Sequence, residues 1–318
     1  MSPLKVVFFG TAEFALPTLQ LLVDQPERFD VVAVVTQPDK PAGRTRELAS
    51  SPVAIWCRQR GLSPLQPPKV KDATFIERVA VLTPDLFVVA AYGKILPANL
   101  LAIPKFGPLN LHGSILPAYR GASPIQAAIA VGDETTGVSL MVMDAEMDHG
   151  PIVATSELAI KPDDTHASLE RRLGAAAAAL FSRTVDDYVT GRRAARAQDH
   201  SRATNTKIIA KEDGAVDWRR DEAVVIERKI RAFEPWPGVF MTWNRNGQPL
   251  RIRLLKAAVR PDGPEPPGAV SLSSAGYPAV QSAAKKLEIL ELQLAGKKPT
   301  DGRSFLNGYP DLIGQVLA

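Results

Sequence analysis

One cysteine in 318 residues rules out an intrachain disulfide and a cysteine-built zinc site. Cys57 follows Trp56 in a stretch with helical spacing, the setting of a packed thiol rather than a nucleophile. No apolar run reaches the roughly 18 residues that a membrane span needs. The opening MSPLKVVFFGTAEFALP has neither a charged leader region nor a small-residue cleavage site, so it reads as a first strand, and a cytoplasmic enzyme is expected. Histidine is scarce as well: only His112, His149, His166 and His200 occur. They form neither HxxxH nor HExxH, so no metal is expected. There is no G-x-S-x-G turn to raise a serine nucleophile. The first turn, GTAEFA at 10–15, lacks the glycines that let a pyrophosphate approach a helix N-terminus, which disfavours a nicotinamide-dependent dehydrogenase. These absences leave direct group transfer, without a covalent enzyme intermediate, as the favoured chemistry.

The charge that is present is unevenly placed. Residues 1–189 carry 17 Lys and Arg against 20 Asp and Glu, whereas residues 190–318 carry 21 against 14. A net positive C-terminal part suits a polyanionic partner. The length itself favours two domains. We place them at 1–189 and 207–318, joined by a basic, polar linker at 190–206.

LKVVFF at 4–9, a helical stretch from Phe14 to Leu22 and DVVAVVT at 30–36 give strand, helix, strand. That order implies a right-handed crossover and an open, mostly parallel α/β sheet. Gln37 to Pro52 is a long polar connection holding Lys40, Arg44 and Arg46, suited as a basic arm to a phosphate backbone. After residue 206 the pattern changes to short β-rich runs between Pro, Gly, Asn and Ser, which predicts a small β-barrel. Trp236-Pro237-Gly238 is expected to pack inside it.

The chemistry concentrates between Leu109 and Pro151. Asn110 and His112 alternate in an apolar strand, so both project to one side. They sit at the carboxyl end of that strand, where open α/β sheets place their sites. An amide N–H suits a developing oxyanion. Asp148, in the acidic loop 144–150, can orient His112 or take a proton. Asp144, Glu146 and Asp148 share one loop, so at least one of the three is expected to be merely solvated. His149 is a lesser competitor for His112, and His166 and His200 are expected to be solvent-exposed.

NLHGSILPAYRGASPIQAAI (110–129) with MDAEMDHGPI (143–152) closely resembles the signature of the 10-formyltetrahydrofolate-dependent formyltransferases. FFGTAEFALPTL, TQPDKPAGR, KIIAKEDGAVDW, IRAFEPWPGVF and LQLAGKKPTDGRSFLNG are similar to the branch of that family that acts on a charged tRNA. The resemblance covers nearly the whole chain. It implies a Rossmann-like N-terminal domain and an OB-like C-terminal β-barrel that binds tRNA. It implies Asn110, His112 and Asp148 as the catalytic trio, and Ser114, Ile115, Leu116 and Pro117 as the folate-binding element. It also implies 10-formyltetrahydrofolate as co-substrate, initiator methionyl-tRNA as acceptor, and Lys40, Arg44 and Arg46 as the arm that meets the acceptor stem. A monomer is expected. Glu47 stands where related arms carry another basic residue, and Glu146 and His149 stand where Gly and Thr are common. Rival acceptors within the family are a ribonucleotide amine, an amino sugar and water. From another class, the rival is a non-catalytic RNA-binding protein.

Overall fold

The computed structural model describes residues 2–42 and 47–317. In chain order the first elements are β1 (Leu4–Gly10), α1 (Leu16–Asp24), β2 (Phe29–Val35), β3 (Lys40–Ala42), β4 (Glu47–Ala49), α2 (Pro52–Gln59), α3 (Ala73–Val81), β5 (Leu86–Ala90) and α4 (Ala98–Leu101). There follow β6 (Pro108–His112), β7 (Arg120–Gly121), α5 (Pro124–Val131), β8 (Thr135–Val142), β9 (Ile152–Ala159), α6 (His166–Val189) and β10 (Asn205–Thr206). The chain then forms α7 (Ala223–Ala232), β11 (Val239–Arg245), β12 (Gln248–Arg260), β13 (Val270–Leu272), β14 (Pro278–Gln281), β15 (Lys286–Leu294), β16 (Thr300–Asp301) and α8 (Gly302–Gly308). Two compact units result: residues 1–125, 134–160 and 168–207 form one, and residues 126–133, 161–167 and 208–318 the other.

The first unit is built on a six-stranded sheet of order β2-β1-β5-β6-β8-β9. The pairs from β2 to β6 are parallel; β6–β8 and β8–β9 are antiparallel. This is the open, mostly parallel sheet expected from the strand–helix–strand pattern, and the Rossmann-like domain that the resemblance implies. All residues of β5 and β6 are buried, as strands covered on both faces require, and they read accordingly as near-continuous apolar runs. From Ala154 onward β9 alternates between half-buried and exposed positions, the signature of an edge with one wet face. Phe9 packs on Phe87 with ring centroids 5.0 Å apart and meets Tyr92 edge-on at 5.5 Å. Phe75 and Val79 of α3 and Leu100 of α4 close this side of the core.

Local signals set the helix starts. The Ser51 hydroxyl accepts from the Ala54 N–H, with Pro52 at the first helical position, and the Asp72 carboxylate accepts from the Thr74 N–H. Cys57 is fully buried in α2, and burial pushes its thiol up to about 11, so it stays protonated and unreactive at neutral pH.

The tract 190–206, read from sequence as a linker, is packed against this first unit. Its β10 pairs in parallel with β7, Arg196 bridges Ile152, and Gln198 is buried. The reason is hydrogen bonding rather than apolar burial, so no hydrophobic period marks it.

The second unit carries an antiparallel sheet of order β11-β12-β15-β14-β13, with β16 on β15. Asn246 and Gly247, both at positive φ, make the two-residue turn between β11 and β12. The register of β12 against β15 shifts between Leu254 and Ala257, a bulge that bends the long strand. Trp218 and Trp243 fill the core at 0% and 2% exposure. Trp236, expected inside, is 59% exposed. The other two indoles already occupy the interior, and the packing role in that segment falls to Gly238 instead. Its carbonyl oxygen would lie 2.0 Å from any β-carbon at Gly214, so these two backbones touch.

Replacing Phe87 by alanine leaves a hole between Phe9 and α3. It should lower unfolding stability by about 3–5 kcal/mol, measurable in urea denaturation as an earlier midpoint with unchanged slope.

Candidate active site

Asn110 and His112 lie at the carboxyl end of β6, 8% and 6% exposed. Because β8 runs antiparallel to β6, its last residue Val142 lies opposite Leu109, beside Asn110. The loop that follows therefore starts next to Asn110 and carries Asp148 back to it. Gly150 permits this, because a β-carbon there would lie 2.0 Å from the Val142 carbonyl oxygen.

Asp148 adopts the left-handed backbone conformation, with φ 51°. Its Oδ1 accepts from Asn110 Nδ2 at 3.4 Å. Its Oδ2 accepts from the Gly121 N–H at 2.8 Å and lies 3.6 Å from His112 Nδ1. His112 Nε2 is 2.9 Å from the Tyr119 carbonyl oxygen. A carbonyl only accepts, so Nε2 carries a proton. Nδ1 then faces Asp148 Oδ2 across 3.6 Å, beyond a direct hydrogen bond. An amide donor, an imidazole and a carboxylate thus meet in one nearly buried cluster. Such a cluster can donate to an oxyanion and take up a proton at the same centre.

Three of the acidic-loop candidates separate cleanly. Asp148 enters the cluster, with its side chain 14% exposed. Asp144 turns outward and binds His149 Nδ1 at 2.8 Å. Glu146 is exposed. His149 stacks on His200, centroids 4.0 Å apart and planes within 2°, and its ring Nδ1 is engaged by Asp144 rather than by Asp148. His166, expected to be exposed, is half-buried at the start of α6, and burial holds its imidazole below the ordinary histidine range.

The segment Ser114–Pro117 crosses β8 beside the trio. Ser139 pins it: the Ser139 hydroxyl donates to the Ser114 carbonyl at 2.8 Å and accepts from the Leu116 N–H at 2.9 Å. Ser114 donates its own hydroxyl to the Ala118 carbonyl at 2.6 Å. Ser114 and Leu116 are therefore buried and committed internally, whereas Ile115 and Pro117 remain half-exposed. Sequence reasoning missed four contributors: the Gly121 N–H, the Tyr119 carbonyl, Ser139 and Gln198. Two are backbone groups, which no residue type announces.

The basic arm is a β3–β4 hairpin rather than an irregular loop. Lys40 is exposed and donates to Gln37 Oε1 at 2.7 Å; Arg44 and Arg46 lie outside the described residues. At the root, Asp39 accepts from Gln66 Nε2 at 2.8 Å, from Arg58 Nη2 at 3.1 Å and from the Ser50 hydroxyl at 2.9 Å. Those bonds, Gln66 first, hold its carboxyl below the usual range. Among the described residues, no group of three or more His, Cys, Asp or Glu is placed to hold a metal ion, and no helix is long and apolar enough to cross a membrane.

Residues 4–185 match the family described as "Formyl transferase", and residues 208–310 match "Formyl transferase, C-terminal domain". The chain belongs to the formyl transferase family. It is 43% identical over 307 residues to a methionyl-tRNA formyltransferase of Chloroflexus aurantiacus, covering 96% of this chain and 97% of the relative. A methionyl-tRNA formyltransferase of Roseiflexus castenholzii is 43% identical over 316 residues, 99% of each chain. Among solved structures, HypX from Aquifex aeolicus in complex with tetrahydrofolic acid aligns at TM-score 0.63 and 15% identity, covering 98% of this chain and 48% of that one. That last likeness concerns the fold alone. This formyltransferase is thus a one-carbon group transferase, and a tetrahydrofolate-derived formyl donor fits its family.

Asn110→Ala and Asp148→Asn should each lower the turnover of formyl transfer by about 100-fold or more, the scale of losing an oxyanion donor or a proton acceptor. Steady-state kinetics of each variant, with folding checked by circular dichroism, test both roles.

Proposed function

We propose that the chain carries the formyl group of 10-formyltetrahydrofolate to the α-amino group of methionine on initiator methionyl-tRNA, for translation initiation. The observation that carries this reading is near-full-length identity of 43% to methionyl-tRNA formyltransferases, joined to an intact Asn110, His112 and Asp148 cluster. The free amine attacks the formyl carbon, and a tetrahedral oxyanion forms. Asn110 donates its second amide hydrogen to that oxygen, and His112 donates from Nδ1 when it carries a proton there. Asp148 takes the proton that the attacking nitrogen sheds. The C–N10 bond then breaks, N10 takes that proton back from Asp148, and tetrahydrofolate leaves with the formyl group now on methionine. The low exposure of Asn110 and His112 strengthens each of these contacts relative to water.

The half-exposed Ile115 and Pro117 are the side chains of the 114–117 element that meet the folate, while Ser114 and Leu116 hold its shape. Lys40, Arg44 and Arg46 meet the tRNA backbone, and the net positive charge of residues 190–318 adds to that contact. The enzyme acts as a monomer in the cytoplasm.

Incubation with 10-formyltetrahydrofolate and charged initiator tRNA should yield formyl-methionyl-tRNA. Transfer to small amines or to water, with none to methionyl-tRNA, overturns the reading. Arg44→Ala should raise KM for the tRNA and leave folate binding unchanged. An unaltered KM for the tRNA removes the arm from the reading.

A further inference from the structure

We propose that Gln198 is a positioning residue for the transfer, holding Asp148 in the conformation that lets its carboxylate serve the trio; this rests on the role given to Asp148 above. Gln198 belongs to the polar tract after α6 and is 6% exposed. Its amide donates to the Asp148 carbonyl at 2.8 Å and to the Gly150 carbonyl at 2.7 Å. Its Oε1 accepts from Arg120 Nε at 3.2 Å and from Arg120 Nη2 at 2.7 Å. A glutamine amide has two N–H donors and one carbonyl oxygen with two lone pairs, and all are used.

The arrangement admits one orientation of the amide. Arg120 only donates, so it must face the oxygen, and the two loop carbonyls only accept, so they must face the nitrogen. Arg120 is fixed in turn by His200, whose Nδ1 lies 2.8 Å from Arg120 Nη2. The held loop is one that would not hold itself. Asp148 is a non-glycine residue at φ 51°, a conformation that such residues seldom adopt without support. Two carbonyls flanking that turn are tied to one side chain.

The same segment fixes the opposite wall. Asn205 and Thr206 of β10 pair with Arg120 and Gly121 of β7, and the Thr206 hydroxyl donates to the Arg120 carbonyl at 3.0 Å. Gly121 supplies the N–H that binds Asp148 Oδ2. A β-carbon on Gly121 would lie 2.4 Å from the Thr206 carbonyl oxygen, so the two strands are in backbone contact. Residues 198–206 therefore set both the loop that carries the carboxylate and the strand that receives it. A displacement of Asp148 by about 1 Å is enough to cost about 100-fold in rate.

The test is Gln198→Glu, with Gln198→Met as a second, neutral variant. Glutamate keeps the oxygen that Arg120 binds and gains charge against it, but presents a second oxygen to two carbonyls. The ion pair with Arg120 offsets part of the cost of that oxygen–oxygen contact, and the loop loses both donors. The expected result is kcat about 100-fold lower, with KM for folate and for methionyl-tRNA within about two-fold of wild type and a cooperative melting transition that shows the variant folded. Hydrogen exchange at the Gly121 amide should accelerate in both variants, because its acceptor Asp148 Oδ2 moves away. Wild-type kcat together with wild-type Gly121 exchange in either folded variant overturns the proposal. So does a loss of kcat with Gly121 exchange unchanged. The exchange contrast needs no substrate, so it reads the clamp even if the wild-type protein fails to form formyl-methionyl-tRNA.

Discussion

The short bond from the Gly121 N–H to Asp148 Oδ2 is the contact on which the site depends. It joins the loop after β8 to β7, which belongs to a separate two-stranded sheet, and it aims one carboxylate at both Asn110 and His112. Each partner is positioned by something different. Asn110 and His112 follow from the pleat of one buried strand. Asp148 follows from the antiparallel return of β8 and from a turn in the left-handed region. Gly121 follows from a two-residue strand paired with β10. A chemically simple cluster thus draws on four separate backbone constraints.

The mixed direction of the sheet makes this geometry available. In an all-parallel sheet the loop after the neighbouring strand would leave from the same end as His112. Here β8 reverses, so Val142 ends beside Leu109 and the loop starts near Asn110. The central side chain of β8, Ser139, lies opposite His112 and ties down the Ser114–Leu116 backbone. One antiparallel strand therefore serves the proton-handling cluster through its end and the neighbouring substrate element through its middle.

Much of this was legible in the sequence. The apolar runs at 4–9 and 30–36 point to the parallel half of the sheet, and the alternation of Asn110 and His112 to their common side. The choice of Asp148 over Asp144 and Glu146 came only from resemblance, since spacing within an acidic loop does not say which carboxylate turns inward. Gln198 was invisible because it is buried by hydrogen bonds in a tract with no apolar period. Trp236 was misplaced because composition does not count how many indoles a small core can hold. His166 was misplaced because a helix start is exposed only where nothing else packs on it.

The root of the basic arm has a consequence of a different kind. Asp39 and Ser50, which flank β3 and β4, bond to each other, and Arg58 and Gln66 from the body of the first unit bond to Asp39. Thr36 and Ser51 join hydroxyls at 2.7 Å just outside that pair. The two strands are thus brought together independently of whatever links them. Lengthening such a linker costs only about 0.6 kcal/mol for each doubling. The arm can consequently change in length and charge over evolutionary time while the sheet below it, and the chemistry at its edge, remain as they are.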